Sequence, residues 1–486
     1  MPSKKLITLL DTCSRLERKH FRKYLNSPYF NENAELIDLF DLVETVYLHT
    51  EPENEPPKKV LSKREAWKKL KKNQPYDDNY LRRICSELTQ HGMNFLQLQR
   101  SKKQVFLPGL EQLHILKERK LDKYFHSTAQ KVKNALSDTS ALKDTDYHFF
   151  NYAVSDLTHR TLEASGKKLS NFGELEQADF HLDCFYFLQK LKYLCDILGY
   201  RKFLPIETEI RTIPGFIHFL EGSKYIQEPP LQAYLLVLKM LRDEEDESHF
   251  HNLRDYLKAQ QQHFSKEELN TLYIYLKNYC IDSRINKGHS EYLVELFQLF
   301  QTLIKEEILT ANGKLDSQDY KNIITVALYV KAFDWVEHFI KTNTDYLPDD
   351  NRENALTYNL AKVYFHQKKY PEVIAQLREV EYDDVVYALG SKLMLLKTYY
   401  EQAEYLALDS LVDSFRIYLQ RNRLISKDVR RQYLNVLRFI RKLANIDPYN
   451  QQAIEKVRNK VHECQALADK NWILEKIDAL DRSKVV

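Results

Sequence analysis

Ten glycines serve 486 residues, and no two of them lie closer than seven positions apart. This is about a third of the ordinary usage of roughly 7%, and it restricts the fold more than any other feature. Glycine supplies left-handed backbone for tight turns and lets the main chain close upon a ligand. A fold built from many short hairpins and phosphate loops has too little of it here. A dinucleotide fingerprint needs glycines two and three apart, and a P-loop needs them five apart. Neither can be written from this chain, so nucleotide chemistry on those folds is excluded.

Helical periodicity dominates instead. Helices read across residues 5–48, broken at Ser27-Pro28 because the residue before proline avoids the α region. HTEPENEPPKKV (49–60) reads as a linker, followed by helices over about 62–72 and 79–91. A boundary is expected at SKKQVFLPG (101–109). Long amphipathic helices are expected over 110–136, 144–164 and 175–198, rich in Tyr and Phe. Beyond Pro205, Pro214 and Pro229-Pro230 the pattern becomes helix pairs repeating at an interval of about 35 residues. Tyr364 and Tyr370 recur 35 residues later as Tyr399 and Tyr405, and Phe333 falls 37 before Tyr370. Recurrence at this interval marks hairpins that bury their apolar faces on one another. The 32 tyrosines and 24 phenylalanines then read mainly as core, filling the grooves between crossed helices.

NALTYNLAKVYFHQKKYPEVIAQLREV (354–380) resembles a tetratricopeptide repeat at Leu360, Ala361, Tyr364, Tyr370 and Leu377. It departs at Lys368, where glycine is common, and at Val373, where a small residue is usual. Degenerate copies flank it at 317–350 (Phe333, Val336, Ile340, Pro348) and 389–422 (Leu395, Tyr399, Ala403, Tyr405). The resemblance implies an all-α chain containing an α-solenoid of stacked antiparallel hairpins. The expected division is a basic helical region at 1–105, long-helix hairpins at 106–228, tetratricopeptide-like repeats at 229–425 and a helical cap at 426–486. FRKYLNSPYFNENAELIDLF (21–40) is also similar to bacterial proteins of unassigned function that join such a region to helical repeats.

Arrays of this family hold extended peptides in the concave groove lined by the first helix of each hairpin. The resemblance therefore implies a non-catalytic scaffold for a protein or peptide partner. A subset clamps a C-terminal carboxylate with Lys and Asn. Lys321 and Asn359 match that clamp, whereas Thr325, Gly390 and Met394 do not. A looser groove would add Tyr358, Lys362, His366 and Lys397, although the same residues also read as ordinary solvated side chains.

The alternative is nucleic-acid association. Residues 1–105 hold 20 Lys+Arg against 14 Asp+Glu, in a chain whose net charge is +3. KKVLSKREAWKKLKK (58–72) and the following helix supply Lys63, Arg64, Lys68, Lys69, Lys71, Lys72, Arg82 and Arg83. Clustered cations on a helix-turn-helix suit phosphate contacts, but a solvated, helix-favouring lysine face is the expectation for this run. A second stripe of Lys427, Arg430, Arg431, Arg438, Arg441 and Lys442 shares an arc of about 120° on one helix, opposite Val429, Tyr433, Val436, Ile440 and Leu443. Water or internal ion pairs are the expectation there.

No metal, cofactor or catalytic centre is expected. The six cysteines form no C-x-x-C pair, and Cys184 and Cys195 read as small hydrophobes. Glu17-x-x-His20 and Glu111-x-x-His114 have di-iron spacing without the further glutamates on long helices. His249 and His251 beside the acidic run 243–247 are too few for a site, and neither H-E-x-x-H nor G-x-S-x-G occurs. The N-terminal apolar stretch is too short and charged for a signal peptide. No run approaches the roughly 18 apolar residues of a membrane span, so the cytoplasm is the expected location.

Overall fold

The computed structural model describes residues 3–46, 62–71, 74–103, 106–138, 142–164, 172–201, 211–310, 313–348, 352–377 and 385–482. These are all-helical: 23 α-helices and no strand among the described residues. None of these helices is long and apolar enough to cross a membrane. The linker at 49–60, Lys72 and Pro205 lie outside the described residues. The chain divides into two compact units, Met1–Lys190 and Leu191–Val486.

The first unit opens with α1 (Lys4–Asp11), α2 (Arg15–Leu25), α3 (Glu35–Val46), α4 (Lys63–Leu70) and α5 (Asp78–Lys103). Their apolar faces meet around Leu10, Phe21, Phe40, Trp67 and Phe95. Capping boxes start α2 at Ser14/Glu17 and α4 at Ser62/Glu65, each satisfying two otherwise unpaired N–H groups. Glu17 therefore serves as a cap, and Glu111 and His114 are exposed. The di-iron spacing thus belongs to surface residues. Among the described residues no three His, Cys, Asp or Glu side chains are grouped to hold a metal.

The expected helix over 110–136 is in fact a hairpin. α6 (Phe106–Glu118) and α7 (Asp122–Asp138) are separated by Lys120, whose φ is 56°. The amide of Leu121 donates to the carbonyl of Leu116 at 2.9 Å, closing the α6 C-terminus. The reversal lets Leu113 of α6 face Phe125 and Val132 of α7 in one core. Gly109 permits the approach: a Cβ there would lie 2.6 Å from Val132 Cγ2. α8 (Thr145–Ala164) and α9 (Gly173–Arg201) agree with the expected bounds. They bring together two buried histidines, His148 and His181, with Nδ1 atoms 2.9 Å apart.

The second unit continues with α10 (Phe216–Gly222), α11 (Pro229–Arg242), α12 (Glu247–Gln260), α13 (Lys266–Asn278) and α14 (Tyr292–Lys305). A π-helical turn, Tyr279–Arg284, links α13 to the approach of α14. Its Arg284, 4% exposed, donates to the carbonyls of Glu244 (2.7 Å) and Glu245 (3.3 Å) and to the Tyr279 hydroxyl. This ties the acidic run 243–247 to the helix beneath it.

Three hairpins follow: α15 (Ser317–Tyr329) with α16 (Phe333–Asn343), α17 (Arg352–His366) with α18 (Tyr370–Leu377), and α19 (Val385–Glu401) with α20 (Tyr405–Arg421). Their turns share one backbone design. Lys331, Lys368 and Ala403 have φ of 60°, 59° and 56°. The next amide in each turn, that of Ala332, Lys369 or Glu404, donates at 2.9 Å to the carbonyl of Ala327, Tyr364 or Tyr399. Phe333, Tyr370 and Tyr405 then open the second helix. Of the recurring aromatics in the sequence, Phe333, Tyr370 and Tyr405 are thus the first residues after three like turns, while Tyr364 and Tyr399 lie near the ends of the first helices. First helices also touch one another, α15 against α17 and α17 against α19. Not every aromatic is core, since Tyr329 is 70% exposed and Tyr449 85%.

The unit ends with α21 (Lys427–Ala444), α22 (Gln451–Glu463) and α23 (Lys470–Arg482), which share a core with α20 around Phe415, Phe439, Ile454 and Ile473. The basic stripe on α21 is partly internal. Arg441 binds Asp409 (2.8 Å) and Asp413 (3.1 Å), and Arg430 donates to the carbonyls of Asn422 and Ile425.

Candidate functional site

The six groove candidates lie on α15, α17 and α19, and the structure treats them unequally. Lys321 is exposed, with its Nζ 5.9 Å from the centre of the Tyr387 ring. Tyr387 packs edge-on against Tyr358 at 5.5 Å. Gly390 makes room for that ring, because a Cβ at 390 would lie 2.9 Å from the Tyr358 hydroxyl oxygen and Cε2. The close approach of α17 and α19 thus depends on a glycine in the middle of a helix, where glycine is otherwise unfavourable by roughly 1 kcal/mol.

One helical turn along α17, Lys362 is half-buried and its Nζ donates to Thr325 Oγ1 on α15 at 3.3 Å. Burial, and then the charge of Lys397, pushes its ammonium below the ordinary lysine range. His366 keeps an exposed edge, yet burial of its ring and the nearby Lys362 and Lys397 push it below the ordinary histidine range. The ring is therefore neutral at pH 7 and offers one donor and one acceptor.

Lys397 is already engaged. Its Nζ donates to Asp469 Oδ2 at 2.6 Å and lies 5.0 Å from the Phe365 ring centre and 5.3 Å from that of Trp472. Asp469 immediately precedes α23, in a left-handed conformation with φ 49°. Trp472 donates from Nε1 to Glu401 at 3.2 Å, and Lys476 binds the same carboxylate at 2.6 Å. The groove face of α19 thus carries a strap from the C-terminal helices, supplied by residues more than seventy positions away.

Asn359 does not join this face. It is 4% exposed and donates from Nδ2 to the carbonyl of Ala355 at 2.8 Å within its own helix. Met394, at another clamp position, is 7% exposed. The Lys–Asn pair is therefore not brought together on one face, and the other five candidates keep some exposure on α15, α17 and α19. Tyr387, Thr325 and Asp469 complete the surroundings. Of these, Thr325 carried a sequence signal only as a mismatch, and Asp469 carried none.

The basic patch is largely occupied by its own unit. Lys63 binds Asp78 at 3.0 Å, and Arg82 binds the same carboxylate at 2.6 Å. Lys71 pairs with Glu35, which also accepts from the Tyr80 hydroxyl at 2.5 Å, and these two partners hold the Glu35 carboxyl below its usual range. Arg64 stacks on Tyr76 (5.7 Å) and Arg83 on Tyr80 (4.8 Å). Lys68 and Lys69 are exposed without an ion pair among the described residues, and Lys72 lies outside them. Stacking leaves the guanidinium charge in place, so among the described residues Arg64, Lys68, Lys69 and Arg83 are the patch cations without an ion pair.

Comparison with protein families, with curated proteins and with solved structures finds no match to this chain.

Proposed function

We propose that residues 229–425 form a tetratricopeptide-like α-solenoid, and that the protein is a non-catalytic cytoplasmic scaffold receiving a peptide or partner helix along α15, α17 and α19. The observation that carries this reading is the triple turn at Lys331, Lys368 and Ala403, at spacings of 37 and 35 residues, with the first helices in mutual contact. Like turns at like intervals repeat the same hairpin, and repeated hairpins expose first helices along one surface. That surface carries Lys321, Tyr358, Lys362 and His366, a mixture of aromatic and hydrogen-bonding groups suited to a peptide backbone.

The test is a photocrosslinking amino acid placed at Lys321, with one at Glu372 on α18 as control, in the full chain in native cytosol. Adducts with a defined protein from position 321 alone support the groove. Equal adducts from both positions, or none from 321, refute it. Nuclease treatment before capture separates the nucleic-acid alternative, whose adducts would vanish. Lys397→Glu is a poor groove probe, because it would set two carboxylates against each other at Asp469.

A further inference from the structure

The segment FRKYLNSPYFNEN (21–33) has no part in the groove, yet it carries Tyr29, the most exposed large apolar side chain among the described residues of the first unit. Tyr29 is 89% exposed and Phe30 41%, and the loop that bears them is firmly held. The buried side chain of Asn31 donates to the carbonyl of Leu25 at 2.9 Å and accepts from the amide of Asn33 at 2.9 Å. The amides of Phe30 and Asn31 both donate to the carbonyl of Ser27 at 3.0 Å. From the surface inward the rings form a chain. Tyr29 stands edge-on to Phe30 at 5.1 Å, Phe30 stacks on Tyr24 at 4.6 Å, and Tyr24 meets Phe95 in the core at 5.8 Å. Phe30 thus gives one face to the protein, whereas Tyr29 offers its ring to solvent on a backbone already fixed. A rigid aromatic held out in water can receive a flat partner without the entropy cost of ordering a loop.

α2 leads to this platform with a row of cations. Arg15, Lys19 and Lys23 follow one another at every fourth residue, so they share an arc of about 80° and succeed each other by about 6 Å along the axis. All three are exposed and form no ion pair among the described residues. Their neighbours Arg18 and Arg22 turn instead to Glu44 and Asp41 of α3. Glu17 closes the capping box with Ser14 at the start of the helix. Glu32, exposed, is the one carboxylate of the loop 26–33.

We propose that α2 and the Tyr29 loop bind single-stranded nucleic acid, with Arg15, Lys19 and Lys23 on successive phosphates and a base stacked on Tyr29. The interval between the cations is close to that between phosphates of an extended strand. Unpaired cations beside an open aromatic ring are the elements of sequence-tolerant strand binding. A duplex keeps its bases stacked inside and has none to give Tyr29. An anionic membrane is a poorer fit, because a single projecting tyrosine beside Glu32 supplies little apolar surface for insertion. The site lies apart from the groove, which belongs to the second unit, and from the lysines of α4.

The test is fluorescence anisotropy of the full chain with labelled dodecamers of deoxythymidine and of uridine over a salt series. Duplex DNA, polyglutamate and phosphatidylserine vesicles serve as competitors. At least one dodecamer should bind, with a logarithmic salt slope of about −2 from three phosphate contacts at roughly 0.7 each. The stronger dodecamer tells DNA from RNA. Arg15→Gln/Lys19→Gln/Lys23→Gln should remove most of that slope and weaken binding by about tenfold or more. Tyr29→Ala should weaken it by roughly fivefold or more at an unchanged slope, and Tyr29→Phe should keep most of the affinity. These side chains are all exposed, so the variants should melt with the parent chain. Absence of dodecamer binding at low salt overturns the proposal. Equal competition by duplex or polyglutamate overturns it too, by making the row a general acceptor of anions, and preference for vesicles makes the loop a membrane contact instead. An unchanged affinity in Tyr29→Ala removes the stacked base. Loss of binding in Lys68→Gln/Lys69→Gln, with the α2 triple variant unaffected, moves the strand to α4 and refutes the assignment.

Discussion

Replacing Lys368 by glycine should stabilise the second unit. Lys368 holds φ 59° at the turn between α17 and α18, and its side chain is exposed and makes no ion pair among the described residues. A residue with a Cβ is disfavoured in this conformation by roughly 1–2 kcal/mol. Glycine removes that strain but gives the unfolded chain more freedom, worth roughly 0.5–1 kcal/mol in the opposite direction. The net expectation is a gain of about 0.5–1 kcal/mol, which in a unit of this size raises the melting temperature by about 1–2 °C. Lys331→Gly and Ala403→Gly rest on the same geometry. The three turns are separated by 37 and 35 residues, so the triple variant should gain about 1.5–3 kcal/mol, close to the sum. The assay is urea and thermal denaturation of the full chain, with Lys369→Gly as control. Lys369 lies one residue beyond the left-handed position and has no positive φ, so its replacement should be neutral or destabilising. If Lys368→Gly lowers the midpoint, or if both variants behave alike, the reasoning about the turn is wrong.

Gly390→Ala should push the Tyr358 ring from its place and weaken partner capture, with a stability change within about 1 kcal/mol because alanine favours the helix; unchanged crosslinking at Lys321 would contradict this. Arg284→Leu should cost about 2–4 kcal/mol, since the carbonyls of Glu244 and Glu245 lose a buried charged donor; a urea midpoint within error of the parent would refute it. Burial holds His148 down to about 3 and His181 down to about 4, so both rings stay neutral in the folded chain where an unfolded histidine protonates near 6.5. Stability should be at its full value above about pH 6.5 and decline as pH falls toward 4, by up to about 1.4 kcal/mol per pH unit for each ring. Melting curves of His148→Gln/His181→Gln should be flatter over this window, and an unchanged slope would exclude the pair as the cause.

The hairpins of the second unit were legible because Phe333, Tyr370 and Tyr405 each begin a helix at the same point of a repeated turn. An aromatic at a fixed place in a repeat leaves a period in the sequence. The α6–α7 reversal was not legible, because lysine occupies the left-handed position at 120 and no glycine or proline marks it. Ala403 and Lys368 conceal their turns in the same way, and only the flanking aromatics betray them. The candidates Lys321, Tyr358, Lys362, His366 and Lys397 were named from the first-helix positions that the tetratricopeptide resemblance implies. Register could not show that Asn359 is consumed by the carbonyl of Ala355, because an asparagine facing its own helix and one facing a ligand share the same spacing. Nor could it reveal Asp469, which meets Lys397 across 72 residues of chain. The cationic patch illustrates the converse. Its lysines and arginines are plain in the sequence, and the pairs Asp78–Arg82 and Tyr80–Arg83 follow helical spacing within α5, but Glu35 with Lys71 and Asp78 with Lys63 join separate elements that local spacing does not relate.

Three tryptophans occur in the chain, and their positions have an experimental consequence. Trp67 belongs to the first unit, and Trp335 stacks within α16 on Phe339. Only Trp472 lies beside a groove lysine, 5.3 Å from Lys397 Nζ and edge-on to Tyr400. Indole emission follows the electric field at the ring, so Trp472 is a built-in optical probe of the charge arriving at Lys397. With Trp67 and Trp335 replaced by phenylalanine, occupancy of the groove would be readable as a colour shift in the unlabelled protein.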